Sequence, residues 1–310
     1  MANLILGFDC GGTKTQVDVV CCDKKQKKVI ESFLVNGMNV NSYGEEKVLE
    51  HLAEAFDRIG ASRLTEVKAI GFGAAGVSNP LTREVFFQGV RNAGCLVEPL
   101  LIGDHQAALW GAHADGNGII LIAGTGSVCC GHIHDVNGWT ETRCGGYGHL
   151  IDDEGSGYTL GRDVLSAVVR AEDGRISPTV MRKAVFEKLK INSIQELIGF
   201  VYSKDTGKKE IAALAPILEL GVVAEERVAL EILQKAADNL AAMVFPVADK
   251  LGLSNGPLSF CGSVLKKNAR IRTLTTQKIQ EKLPEIRICP PQYDAAYGAA
   301  LAAMQEKLIF

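Results

Sequence analysis

The chain has 310 residues, 47% of them hydrophobic and 22% charged, and a formal net charge of −3 at pH 7. This length and apolar content can bury a core in one large or two ordinary domains, and they exclude intrinsic disorder. A weakly acidic chain without a basic block is unsuited to binding nucleic acid, and 6% aromatic residues are too few for a base-stacking platform. Glycine is over-represented, because 33 of the 310 residues are glycine and a share of about 7% is usual.

Hydrophobic runs and cysteines indicate the compartment. No apolar run reaches the roughly 18 residues of a membrane helix, and residues 1–7 lack the basic start of a secretory signal. The nine cysteines are odd in number and show no C-x-x-C spacing. We therefore expect a cytoplasmic protein without membrane contact, whose thiols are reduced. A zinc or iron–sulfur site built from distant cysteines stays open as an alternative.

In the first part of the chain, alternating apolar residues predict strands and 3.6-residue periodicity predicts helices. The predicted strands are 4–9, 15–21, 29–35, 67–72 and 96–102. The predicted helices are 45–59, 81–92 and 105–114. The lysine-rich segment 24–28 is interpreted as an exposed hairpin tip rather than a binding patch.

The opening pattern returns after Gly118, with strands at 119–123 and 128–134 on either side of a glycine turn. Two such units about 110 residues apart indicate an internal duplication, with a domain boundary near residues 116–118. Helices are then predicted at 158–170, 178–189, 193–202, 210–220, 224–251 (kinked or broken at Pro246) and 264–268, strands at 258–261 and 285–288, and a last helix at 294–307. Small residues along that last helix predict close packing on another element.

Three glycine turns directly follow apolar strands. They are Gly11-Gly12-Thr13-Lys14, Gly124-Thr125-Gly126-Ser127 and Cys261-Gly262-Ser263. Such turns let backbone N–H groups converge on a phosphate, and three of them are harder to explain by hairpin geometry than one. Asp9 ends the first strand and would face the same phosphates through a cation, most simply Mg²⁺. An Asx turn is the structural alternative for Asp9.

Two glycine patterns are rejected as nucleotide motifs. Gly7 and Gly12 have the spacing of a P-loop, but Thr13 stands where that motif needs lysine. The segment 71–76 fits G-x-G-x-x-G after a strand, but residues 77–80 are not a helix start. The missing helix start argues against a dinucleotide-binding fold.

Asp104 is the candidate catalytic residue, because it stands between a strand and a helix, where a carboxylate can face a cleft. Its structural alternative is the N-cap of the helix that begins at His105. The segment 143–158 combines glycines, one histidine and three consecutive carboxylates. This composition is typical of a loop that recognises sugar hydroxyls, whereas His149 by itself favours a structural role.

These motifs together resemble the N-acetylglucosamine kinases, within the actin-like superfamily that includes hexokinases. The resemblance runs from Asp9-x-Gly11-Gly12-Thr13-Lys14-Thr15 to the small-residue helix at the end of the chain. Its most specific part is Cys144-Gly145-Gly146-Tyr147-Gly148-His149, followed by Asp153-Glu154-Gly155-Ser156. The related activator ATPases of benzoyl-CoA reductase and hydroxyacyl-CoA dehydratase share this fold.

The resemblance implies two ribonuclease-H-like α/β domains that flank an interdomain cleft. They would span 1–117, with the helix at about 294–310 packed back on it, and 118–293, which carries a helical insertion. Asp104 would be the general base and a sugar contact, and Asp9 the magnesium residue, acting through water. The implied ATP phosphate residues are Gly11, Gly12, Thr13, Lys14, Gly124, Thr125, Gly126 and Ser127. The adenosine residues are Gly262 and Ser263, and the other sugar residues are Asn39, Gly146, Tyr147 and Asp153.

The implied function is ATP- and Mg²⁺-dependent phosphorylation of the 6-hydroxyl of an amino sugar, by a homodimer. N-acetylglucosamine is favoured, while N-acetylmuramate and glucosamine stay open. Two alternatives are an activator ATPase that drives electron transfer and a non-catalytic sensor of sugar and ATP. The activator ATPases carry a cluster-binding cysteine before their glycine turn, whereas Ile122-Ala123 precedes the turn here. The zinc-binding His/Cys cluster of the repressor-containing sugar kinases does not occur either. Both departures favour an amino-sugar kinase.

Overall fold

The computed structural model describes residues 3–22, 27–114, 117–135 and 138–308. Most of the lysine-rich segment, Gly116 at the predicted boundary and the last two residues of the chain lie outside the described residues. The chain divides into two compact units, Met1–Asn117 with Pro290–Phe310, and Gly118–Cys289. In the described part, no helix is both long and apolar enough to cross a membrane.

The first unit is built on a five-stranded mixed sheet. Its strands are β1 (Asn3–Cys10), β2 (Lys14–Cys22), β3 (Lys27–Asn36), β4 (Val67–Ala74) and β5 (Leu100–Ile102), in the order β3-β2-β1-β4-β5. Its helices are α1 (Val40–Tyr43), α2 (Glu45–Ile59), α3 (Ala61–Leu64), α4 (Pro80–Asn92), α5 (Asp104–Ala112) and α14 (Ala295–Leu308). β1 pairs antiparallel with β2 and parallel with β4. The predicted strand 96–102 is too long, because Pro99 has no N–H for a ladder and Leu96 is fully exposed.

The two faces of this sheet pack differently. One face buries a cluster that includes Phe8 and Phe72, whose ring centroids lie 4.4 Å apart, beneath α2 and α4. On the other face, α14 packs so closely that its backbone contacts the backbone of the sheet. A Cβ at Gly7 would lie 2.0 Å from the Ala296 carbonyl oxygen, and a Cβ at Gly71 would lie 2.0 Å from the Ala299 carbonyl oxygen. The G-x-G-x-x-G segment that begins at Gly71 therefore serves packing, and the small-residue helix packs closely as predicted.

The second unit repeats this sheet topology. Its strands are β6 (Gly118–Ala123), β7 (Ser127–Asp135), β8 (Gly138–Gly145), β9 (Pro257–Cys261) and β10 (Arg287–Cys289), in the order β10-β9-β6-β7-β8. β6 pairs antiparallel with β7 and parallel with β9, just as β1 pairs with β2 and β4. The two sheets are topologically equivalent, and the predicted ribonuclease-H-like α/β fold class is confirmed.

Helices form most of the rest of the second unit. They are α6 (Gly157–Glu172), α7 (Met181–Leu189), α8 (Ile194–Val201), α9 (Lys208–Ala212), a 3₁₀ turn (Ala215–Ile217), α10 (Leu218–Val223), α11 (Arg227–Leu251), α12 (Ser263–Lys267) and α13 (Ala269–Lys282). The predicted helix 210–220 is divided, because Pro216 cannot continue an α-helical ladder. In contrast, α11 runs through Pro246 as one helix. Sequence periodicity missed β8 and the largely polar α13.

Candidate active site

The first glycine turn lies between β1 and β2. The Gly11 N–H donates to the Asp9 carbonyl oxygen at 3.1 Å, and a Cβ at Gly11 would lie 2.6 Å from the Lys14 carbonyl oxygen. Thr13 and Lys14 are exposed at the end of the turn. This backbone conformation therefore requires glycine, and it leaves the polar end of the turn accessible to a ligand.

Asp9 lies among other carboxylates. Its burial, followed by the negative charges of Asp104 and Asp294, raises the pKa of Asp9 from 3.8 to about 6, although Lys14 opposes this. Among the described residues no group donates a hydrogen bond to its side chain, so the Asx-turn alternative is not the observed arrangement. A hard divalent cation would relieve this repulsion, and Asp9 offers the oxygen donors that Mg²⁺ prefers, so it suits an ion that is held through water rather than by a cluster of protein ligands. No group of three or more His, Cys, Asp or Glu able to hold a metal occurs within the described ranges.

Asp104 is the first residue of α5 rather than its cap. The cap position belongs to Gly103, whose N–H donates to Gln106 Oε1 at 2.6 Å. The Asp104 side chain is 58% exposed, and its Oδ1 accepts a hydrogen bond from the His105 N–H at 2.9 Å. Hydrogen bonding by His105 lowers the pKa of Asp104 despite partial desolvation. Asp104 is therefore an ionised, accessible carboxylate, the form that a proton acceptor needs.

A polar network behind Asp9 was missed by the sequence analysis. Gln16 Nε2 donates to Asp294 Oδ2 at 2.6 Å, and Ser32 Oγ donates to Asp18 Oδ1 at 2.6 Å. Asp294 also accepts the Tyr297 N–H at 2.9 Å, which anchors the start of α14. The strand register places Gln16 opposite Asp9, so the alternation of β2 could have indicated a polar stripe on this face.

The loop that carries Asn39 packs on the first glycine turn. A Cβ at Gly37 would lie 2.9 Å from both the Gly11 carbonyl oxygen and the Thr13 nitrogen. Asn39 caps α1 by accepting the Ser42 N–H on Oδ1 at 3.2 Å, which leaves its amide N–H groups for a ligand. The structure therefore brings the loop that carries Asn39 against the first glycine turn.

His51 holds the same loop from behind and was also missed. It is buried in α2, and its Nδ1 lies 2.8 Å from the Gly37 carbonyl oxygen. Because a carbonyl only accepts, Nδ1 carries the proton in this contact. The Tyr43 ring packs edge-on against the imidazole, with centroids 5.3 Å apart. A lone histidine in an amphipathic helix gives no signal of this role.

The second glycine turn joins β6 to β7. The Gly124 N–H donates to the Gly126 carbonyl oxygen at 2.8 Å, and the Gly124 carbonyl oxygen accepts the Gly157 N–H at 2.7 Å. Ser127 is engaged internally, because its N–H donates to Asp153 at 3.2 Å and its hydroxyl to the Glu154 carbonyl oxygen at 2.7 Å. Thr125 and Gly126 are the turn residues whose N–H groups donate to no acceptor among the described residues.

The third glycine turn lies against the second. Gly262 has φ +84, and a Cβ there would lie 2.3 Å from the Ala123 carbonyl oxygen. Both turns border one cleft of about 660 Å³, a volume typical of a small-molecule site. Its lining combines Gly124, Thr125, Ser263 and apolar residues of α6 and α9 with Lys209, Lys267 and Arg270. Glu219 also lines the cleft, and its Oε1 forms an ion pair with Arg270 Nε at 3.0 Å. A cleft with backbone donors, apolar walls and an excess of cations over carboxylates can take a nucleoside phosphate.

The segment 145–158 carries the remaining predicted sugar residues. Gly146 has φ +77, and the neighbouring Tyr147 ring is 59% exposed with the Arg143 guanidinium 4.8 Å from its centroid. The Tyr147 N–H donates to Asp152 Oδ2 at 3.1 Å. His149 packs against the Tyr158 ring, with centroids 4.6 Å apart, which agrees with a structural role.

Asp153 is more deeply buried than the neighbouring Asp152 and Glu154, which are half-buried. Its side chain is 4% exposed, and Oδ2 forms an ion pair with Lys208 Nζ at 2.6 Å. The carboxylate therefore lies beneath the second glycine turn, and its role as a sugar contact stays a prediction.

The other predicted site residues form two groups. Asp9, Gly11–Lys14, Asn39 and Asp104 belong to the first unit, and Gly124–Ser127, Gly146, Tyr147, Gly262 and Ser263 to the second.

Comparisons with known proteins agree with this fold. The sequence profile of the BadF/BadG/BcrA/BcrD ATPase family matches residues 6–303. The chain is 30% identical over 308 residues to the N-acetylmuramic acid/N-acetylglucosamine kinase of Clostridium acetobutylicum, covering 97% of this chain and 98% of that relative. It is 31% identical over 195 residues to the N-acetyl-D-glucosamine kinase of Dictyostelium discoideum, covering 61% and 60%. A solved structure of a proposed N-acetylglucosamine kinase from Chromobacterium violaceum superposes with a TM-score of 0.72 at 24% identity, covering 96% and 98%.

Proposed function

The chain belongs to the BadF/BadG/BcrA/BcrD ATPase family, and from this premise we propose that it is an ATP-dependent amino-sugar kinase. The reaction transfers the γ-phosphoryl group of ATP to the 6-hydroxyl of N-acetylglucosamine, with N-acetylmuramate and glucosamine as further candidate acceptors. The observation that carries the proposal is the near full-length identity of 30% to a kinase named for two of these sugars.

The first unit supplies the groups for the acceptor hydroxyl. Asp104 accepts the hydroxyl proton as the oxygen attacks phosphorus in line, and its lowered pKa keeps it ionised at neutral pH. Asn39 donates its free amide N–H groups to sugar hydroxyl oxygens, because its Oδ1 is already committed to capping α1. Phosphoryl transfer through a loose transition state depends mainly on positioning, which the packed loop of Gly37 and Asn39 provides.

The second unit supplies the adenosine site and part of the phosphate site. The cleft beside Ser263 takes the adenosine, and the N–H groups of Thr125 and Gly126 donate to phosphate oxygens. Asp9 would hold Mg²⁺ through water, and the bound ion would supply charge neutralisation on the phosphates. The first turn, with Thr13 and Lys14, contributes further phosphate contacts.

We also propose the assembly and compartment that the resemblance implies, a homodimer in the cytoplasm. All nine cysteines are free thiols, which favours a reducing compartment. Gly146 and Tyr147 are assigned to the sugar, and Tyr147 has the exposure that a stacking contact needs.

The test is a coupled kinase assay of the native protein and of Asp104→Asn over the three amino sugars. We expect phosphosugar formation by the native protein and a loss of turnover of about 10²- to 10⁴-fold in the variant, the range of a general base. Asp57→Asn makes the same chemical change on an exposed position of α2 and is expected to retain activity. Near-normal turnover by Asp104→Asn would exclude its catalytic role. ATP hydrolysis without any sugar acceptor, together with bound iron, would favour an activator ATPase instead.

A further inference from the structure

Lys208 begins α9 and reaches the second glycine turn. Its Nζ lies 2.6 Å from Asp153 Oδ2, and a Cβ at Gly126 would lie 2.7 Å from the same Nζ. The Asp153 side chain is 4% exposed, whereas that of Lys208 is 31% exposed. The carboxylate is thus enclosed, while the ammonium group lies against the turn and remains accessible to a ligand.

The Lys208 ammonium group has more N–H donors than Asp153 uses. Asp153 accepts the Ser127 N–H on Oδ1 and the Lys208 ammonium on Oδ2. An ammonium group has three N–H donors, and among the described residues Lys208 donates to Asp153 alone. Two N–H donors therefore remain beside Gly126, on an ammonium group whose charge is paired with the enclosed Asp153 carboxylate.

Stability alone is a poor explanation of this pair. The desolvation of two charges cancels much of their mutual attraction. Asp153 also has φ 66, a left-handed conformation that non-glycine residues rarely adopt and that tends to occur at functional sites. A phosphate at the turn would be repelled by the Asp153 carboxylate, whereas the Lys208 charge offsets that repulsion and attracts the phosphate.

We propose that Lys208 is a phosphate-binding residue of the nucleotide site and that Asp153 positions its ammonium group. The inference rests on the proposed function only in taking a nucleoside triphosphate as the ligand. Asp153 fixes the Ser127 backbone and Lys208 together, so the turn and the cation are presented as one rigid anion site. Lys208 adds a cation from the helical insertion to the backbone donors of Thr125 and Gly126.

The experiment compares full-length native protein and Lys208→Met by isothermal titration calorimetry with Mg–ATP and with adenosine. We expect ATP affinity to fall about 10- to 100-fold, the range for a lost hydrogen bond to a charged group, while adenosine affinity stays within about twofold. Unchanged ATP affinity would overturn the proposal. An equal loss for both ligands would do the same, because it would indicate a structural role.

Lys278→Met is the matched control. Lys278 is 30% exposed and forms an ion pair with Asp238 between α13 and α11, away from the cleft lining, so ATP affinity should be unchanged. Lys208→Gln keeps a neutral donor toward Asp153 and should show the same selective loss, which keeps the proposal testable if Lys208→Met fails to fold by circular dichroism. ATP binding with this Lys208 dependence but no phosphosugar would refute only the kinase. Absence of ATP binding by the native protein would refute both.

Discussion

Replacing Asp9 with asparagine should abolish kinase activity and yet stabilise the ligand-free protein. Burial and neighbouring carboxylates raise the Asp9 pKa from 3.8 to about 6, so the folded state resists ionisation of this group. At about 1.4 kcal/mol per pH unit, the resulting destabilisation is at most about 3 kcal/mol. For a cooperative chain of 310 residues this corresponds to about 5 °C in Tm.

The sign of the pH dependence follows from proton binding. Below pH 3.8 Asp9 is protonated in both the folded and the unfolded state, and it makes no difference to stability. Between pH 3.8 and about 6 the folded state binds more protons, so the destabilisation grows, and above pH 6 it is fully present. The Tm advantage of Asp9→Asn should therefore be near zero at pH 4 and largest at pH 7 to 8.

Thermal unfolding from pH 4 to 8, without nucleotide or Mg²⁺, measures this difference. Asp57→Asn provides the matched control, because Asp57 is exposed in the same unit and its replacement should change stability by less than about 0.5 kcal/mol. A lower Tm for Asp9→Asn at pH 8, or a difference independent of pH, would refute the argument from carboxylate repulsion.

The remaining predictions concern packing and loop positioning. Gly71→Ala should destabilise the protein by about 3 kcal/mol or more in denaturant unfolding, because the new Cβ would lie 2.0 Å from a backbone oxygen of α14. Gly199→Ala, with no atom within 4 Å and a helical backbone, should instead stabilise by about 0.5–1 kcal/mol, and equal effects of the two variants would contradict the packing argument. His51→Phe keeps a ring but removes the donor to the Gly37 carbonyl oxygen, so the KM for sugar should rise about tenfold with a smaller change in the KM for ATP. An unaltered KM for sugar in steady-state kinetics would refute the role of His51 in positioning the loop.

Local sequence patterns predicted the strands that precede the glycine turns. The apolar runs before Gly11 and Gly124 form β1 and β6, and the turns follow them directly. Predictions failed where a local rule competed with the pattern, as at Pro216, which divides a predicted helix. They also failed where a helix is mostly polar, as in α13, because its few buried residues produce weak periodicity.

Contacts between distant segments were beyond sequence reasoning. The resemblance to amino-sugar kinases implied that Asp153 is a sugar residue, but its partner Lys208 lies 55 positions away, and nothing in the intervening sequence marks the pair. Asp294 is likewise 278 positions from Gln16, to which it hydrogen-bonds. Their chemistry depends on burial and neighbouring charge, which arise only when the chain is packed.

The sequence by itself therefore determined the two glycine-turn repeats, because strand alternation and turn chemistry act over a few residues. Its resemblance to known kinases implied the fold class and the family. Only the tertiary structure showed that Gly7 and Gly71 allow α14 to pack closely on the sheet. Only the tertiary structure showed that the charges of Asp104 and Asp294 act on Asp9. The physical reason is that electrostatic and packing energies depend on distances in space. Those distances are fixed by the assembled sheets and helices rather than by separation along the chain.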